Sequence, residues 1–128
     1  IRYDNIKSAV AEENVIAQIL REPALLDQIR NLKQEEFSSS LLGNVYGQLR
    51  ARHEQGLEVS LAVLAELGGE EMSHIAGIVN RHQNPVDEQG LKDCVRTIQS
   101  EYGRGAVATE DDLLALQKKL QERKGFHG

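Results

Sequence analysis

The feature that most limits what this chain can fold into is the recurrence of aliphatic residues at helical spacing, segment after segment, with no convincing alternating run anywhere. The clearest stripe is Leu91, Cys94, Val95, Ile98 and Tyr102, which recur three, four, seven and eleven residues on from the first. An earlier stripe of Val15, Ile16, Ile19 and Leu20 predicts a helix over 11–21, with Ile6 and Val10 extending it backwards. Pro23 suits the first turn of a second helix that carries Leu25, Leu26, Ile29 and Leu32. Ser38, Ser39 and Ser40 offer caps for a third, with Leu41, Leu42, Val45, Tyr46 and Leu49 facing inward. Gly56 is placed to end that helix in a left-handed conformation. Ser60 starts a short helix presenting Leu61, Leu64 and Leu67, stopped by Gly68-Gly69. The next, over 70–82, buries Met72, Ile75, Ala76 and Val79. Asn84-Pro85 breaks the chain, Asp87 caps the striped helix, and Gly103 and Gly105 end it.

Residues 109–124, TEDDLLALQKKLQERK, predict a well-made closing helix. Thr109 and Asp112 read as a capping box, acids crowd the positive end of the dipole, and Lys118, Lys119, Arg123 and Lys124 occupy the negative end. Leu113, Leu116 and Leu120 form its stripe, widened by Leu114, and Tyr102, Ile98 and Val95 are its expected partners at home. The whole reads as an all-α fold of about seven helices joined by short connections: a compact helical bundle over 1–86, then a connecting helix and C-terminal helical hairpin over 87–128, with a break near 103–108.

Charge and composition narrow the function. A net charge of −5 weighs against broad phosphate binding, so direct nucleic-acid contact is not expected. The single Cys94 rules out an internal disulfide framework and fits a reducing, cytoplasmic setting. No run approaches the roughly 20 apolar residues that span a bilayer, and the start lacks a signal-peptide pattern. Beginning at Ile1 reads as a fragment of a longer protein. Chemistry is scarce. His74 and His82 lie about two turns apart, too far to share a metal, and read as surface histidines. The pairs Glu12-Glu13, Glu35-Glu36 and Glu70-Glu71 read as dipole-matching acids near helix starts rather than as catalytic pairs. Cys94 reads as a small core residue, and the glycine pairs as turns, since no Lys-Ser or Lys-Thr follows them.

Three stretches, EENVIAQILREPALLDQI, FSSSLLGNVYGQLRARHEQGLEVSLAVLAEL and EEMSHIAGIVNRHQNPVDEQGLKDCVRTIQ, with the closing LLALQKKLQERKG, resemble the C-terminal helicase-binding domain of bacterial DNA primases. Through Phe37, Gly56, Val59 and Leu61 the first half is similar also to the N-terminal domain of the replicative helicase. The primase resemblance implies a non-catalytic, monomeric docking domain whose partner is the hexameric replicative helicase. It implies no cofactor here, since zinc and magnesium would belong to other parts of the parent primase. The alternative is the oligomerising, primase-binding N-terminal domain of the helicase itself. The expected contact surface is Leu114, Gln117, Lys118, Gln121, Arg123 and Lys124 on the closing helix, with Arg96 and Gln99 on the helix before it.

Overall fold

The computed structural model describes residues 2–64 and 66–107, and among these every regular element is helical. Four α-helices, α1 (Ile6–Arg21), α2 (Ser40–Glu54), α3 (Gly69–Arg81) and α4 (Glu88–Val107), are joined through 3-10 turns at Pro23–Gln28, Gln34–Glu36 and Leu61–Val63. The all-α expectation holds. The closing helix expected over 109–124 lies outside the described residues.

Helix α1 is the central element. It starts earlier than its apolar stripe, because the Asn5 side chain accepts a hydrogen bond from the Ser8 backbone N–H and caps it. Ile6 and Val10 do extend the helix, but they face outward, 70% and 50% exposed. Its inner faces bury Val15, Ile16, Ala17 and Ile19, and it packs most extensively against α4, whose Leu91, Val95 and Ile98 lie in the same core. Two of the three residues expected to receive the closing leucines, Val95 and Ile98, are therefore already committed to the bundle, and only Tyr102 is exposed. Helix α4 also continues through Gly103 to Val107 instead of ending at the glycines. Lacking a side chain disfavours Gly in a helix by about 1 kcal/mol but does not forbid it.

The segment after Pro23 becomes a 3-10 turn and then irregular chain, although Leu26, Ile29 and Leu32 are buried as expected. Side chains from neighbouring helices take the carbonyls that a helix would have used. Tyr46 Oη donates to the Leu32 carbonyl at 2.7 Å, Arg50 reaches the Leu32 and Arg30 carbonyls at 2.6 and 3.0 Å, and Gln99 donates to the Asn31 carbonyl at 3.1 Å. Satisfying those acceptors from outside removes the need for a local ladder. Tyr46 is fully buried and stacks on Phe37 with ring centroids 4.8 Å apart, its hydroxyl finding the partner that a buried phenol needs. Packing is close at Gly43: a Cβ there would sit 3.1 Å from both the Gln34 carbonyl and Phe37 Cβ. Gly56 ends α2 at φ +72°, as its position predicts.

Two further expectations change. The Ser60 segment is a single 3-10 turn that delivers Leu64 to the core. In α3 the buried residues are Ile75 and Ile78, whereas Ala76 and Val79 are half-buried.

Glu12 is the least expected core residue. It stands in the middle of α1, not at its start, and is 0% exposed. Its carboxylate accepts from Ser8 Oγ and Ser38 Oγ at 2.5 Å each, and from the backbone N–H groups of Ser38 and Ser39 at 3.0 and 3.1 Å. Those amides belong to the residues that lead into α2, so α1 supplies an acidic cap to the positive end of its neighbour. Glu12→Ala is expected to lower stability by about 3 kcal/mol, because several buried donors would lose their acceptor at once; a denaturant melt of the purified variant reads this directly.

Candidate functional site

The next residue along α1, Glu13, faces the other way and gathers a second polar cluster. It is 6% exposed. Tyr3 Oη donates to Glu13 Oε2 at 2.7 Å, Arg81 Nη2 donates to the same oxygen at 3.0 Å, and His82 Nε2 meets Oε1 at 2.9 Å. Since the one Tyr3 proton goes to Glu13, the 2.5 Å contact between Tyr3 Oη and His74 Nε2 runs from the imidazole N–H to the phenol oxygen. That assigns His74 the Nε2–H tautomer. The two histidines are thus half-buried and bonded, not free surface groups, and a tyrosine and a carboxylate lie between them. No group of His, Cys, Asp and Glu among the described residues is arranged to hold a metal ion.

Electrostatics in this cluster follow from burial and partners. Burial would raise the Glu13 carboxyl, but hydrogen bonds from Tyr3, His82 and Arg81 outweigh it and hold the group below its ordinary value. Burial pushes His74 down, with Arg81 adding to the effect and Glu13 opposing it. Burial and the Glu13 contact push the Tyr3 phenol up. The cluster lies where α1 meets the end of α3. Nearby, Arg21 donates to the carbonyls of Val79, at 3.2 Å, and His82, and Gln18 donates to that of Asn84.

The outward surface of α4 holds the two sequence-predicted contact residues that fall within the described chain. Arg96 is open to solvent, its side chain 75% exposed, with an ion pair to Asp93 on its own helix at 3.7 Å. Gln99 is half-buried, its amide shared between the Asn31 carbonyl and Glu36 Oε1 at 3.1 and 3.3 Å. Between α4 and the chain after the Pro23 turn lies a hollow of about 330 Å³, with Ile29 and Val95 among its walls and Lys92, Arg96 and Gln99 along its α4 side. Arg96 also borders a smaller hollow of about 160 Å³ near Lys7 and Glu101. The remaining predicted contacts, Leu114, Gln117, Lys118, Gln121, Arg123 and Lys124, lie outside the described residues.

The family model described as "DnaB-like helicase N terminal domain" matches residues 4–100. The chain belongs to the DnaB-like helicase N-terminal domain family. The match runs over the bundle and along α4 as far as Ser100 and corresponds to the helicase side of the resemblance carried by Phe37, Gly56, Val59 and Leu61. Comparison with curated proteins and with solved structures returned no match. Within this family framework Glu12 and Glu13 serve the fold, since each is bonded to neighbouring elements. Cys94 is half-buried, and burial pushes its thiol up, which suits a packing residue. No described helix is long and apolar enough to cross a membrane.

Sequence reasoning missed the Tyr3–Glu13–His74–His82 cluster because its hydrogen-bonded partners are 10 to 71 residues apart and no local spacing links them. The shifts of Glu13 and His74 are both downward, so each contributes stability that is complete above its ordinary value and is lost as pH falls. The melting temperature is expected to begin falling below about pH 6.5 through His74 and to fall further below about 4.5 through Glu13. His74→Gln keeps a donor toward Tyr3 and should remove the upper part of that fall; melts across this range in both proteins measure it, and an unchanged profile would detach His74 from the effect.

Proposed function

We propose that this chain is the helicase-binding domain of a bacterial DNA primase, a non-catalytic module that docks on the hexameric replicative helicase at the fork during primer synthesis. Family membership supports the coarser part of this reading, a helicase-related interaction domain, through the match over residues 4–100. The primase side rests on the resemblance of residues 70–99 and of the closing LLALQKKLQERKG. Docking would raise the effective concentration of the primase catalytic parts beside newly unwound single strand. A modest, reversible contact is enough, because each priming event must end in release. The domain would need no cofactor of its own and would work in the bacterial cytoplasm as a monomer.

The contact assigned is the charged outer face of the closing segment, Leu114, Gln117, Lys118, Gln121, Arg123 and Lys124, continued onto α4 through Arg96 and Gln99. A second reading, the N-terminal domain of the helicase itself, is favoured by the family match over residues 4–100. The two differ in partner and in self-association. Calorimetric titration with the hexameric replicative helicase is expected to show saturable binding by a chain that light scattering finds monomeric. Lys118→Glu with Arg123→Glu should weaken that binding without loss of helix content. A chain that forms rings or dimers and binds primase instead would decide for the second reading.

A further inference from the structure

Resting on the docking reading, we infer that the hollow between α4 and the chain after the Pro23 turn seats a carboxylate-bearing amphipathic helix of the partner. Three observations on the same face point to it. First, Ile29 and Val95 give the hollow an apolar edge beside the polar Gln28, Asn31 and Gln99, a place for one aliphatic side chain of a partner. Second, the cations beside that wall belong to α4 and are exposed: Lys92 and Arg96, on a chain whose net charge is −5. Among the described residues each is paired with an acid on its own helix, Lys92 with Glu88 at 3.4 Å and Arg96 with Asp93 at 3.7 Å. Exposed pairs of this kind contribute little and exchange readily for a better acceptor. Third, the far wall is fixed. The Asn31 carbonyl is held by Gln99, and the carbonyls on either side of it by Arg50, so the hollow is preformed and does not need to be ordered on binding.

Dimensions set the kind of partner. Lys92 to Gln99 spans roughly two helical turns, or about 10 Å of axis. A partner helix lying along α4 would therefore present one apolar residue to Ile29 and Val95 and, three or four residues away, carboxylates to Lys92 and Arg96. A basic helix would set like charge against those two cations, which is the element of selectivity.

The test uses the whole 128-residue chain and two synthetic amphipathic helical peptides, one of leucine and glutamate and one of leucine and lysine. The acidic peptide is expected to bind, with NMR amide shifts centred on Ile29, Val95 and Gln99, and the basic peptide is not. Lys92→Glu with Arg96→Glu should weaken the acidic peptide at least tenfold and admit the basic one. Both side chains are exposed, so an unchanged melting curve is the folding control. Equal binding of the two peptides, or indifference of the double variant, would overturn the proposal. So would self-association of the chain abolished by the double variant, which would give the hollow to a second copy. The hexameric helicase run against the same pair separates this idea from the docking reading. Binding to wild type but not to the variant supports both. Equal binding to each keeps docking and removes the hollow from it. No binding to either defeats docking, while the peptide arm still decides the hollow.

Discussion

Two adjacent buried carboxylates on α1 hold this bundle together. Glu12 and Glu13 diverge by about 100° around the helix axis and reach opposite neighbours. Glu12 receives the amides that open α2, while Glu13 receives Tyr3 from the N-terminal arm and Arg81 and His82 from the end of α3. Arg21, two turns on, completes the pattern by donating to carbonyls at the end of α3. An acid at one neighbour's positive end and a cation at another's negative end are the placements that helix dipoles favour. Burying such groups is costly unless each is bonded, and here each is. The apolar core explains why the helices condense, and these polar ties fix which end of each helix meets α1.

The same logic positions the outward surface. Helix α4 gives its stripe of Leu91, Val95 and Ile98 to α1, which leaves Lys92 and Arg96 on the exposed flank of the stripe. The chain after Pro23, which forms no helix beyond its one turn, is pinned along α4 by Gln99 and along α2 by Tyr46 and Arg50. A segment without a hydrogen-bond ladder of its own thereby becomes a fixed wall. The cations stand beside that wall at a hollow whose lining mixes Ile29 and Val95 with polar side chains.

Much of this was legible in the residues. The stripe of α4, the Ser39 cap, the Gly56 terminus and the Asp87 cap all stand where spacing places them, because each depends on contacts within one helical turn. What spacing could not show depends on distant partners. Glu12-Glu13 reads locally as a pair of dipole acids, and only the approach of Ser38 and Arg81 makes it a buried junction. The segment holding Ile29 and Leu32 has a helical apolar pattern, yet side chains up to 68 residues away take its carbonyls and it stays irregular. Of the expected contact surface, Arg96 stands open as its position on α4 implies, and Gln99 is drawn into holding the loop. The family resemblance was visible in diffuse apolar patterns, which describe a shared bundle better than they distinguish the two sides of one contact.

The claim that α1 fastens its neighbours through separate carboxylates is tested most directly by residue-resolved amide hydrogen exchange on Glu12→Gln and Glu13→Gln. Exchange should quicken at Ser38, Ser39 and the first turn of α2 in the former, and at the last turn of α3 in the latter, each leaving the other region protected. Uniform loss of protection across the bundle in both variants, or no change at either junction, would contradict it.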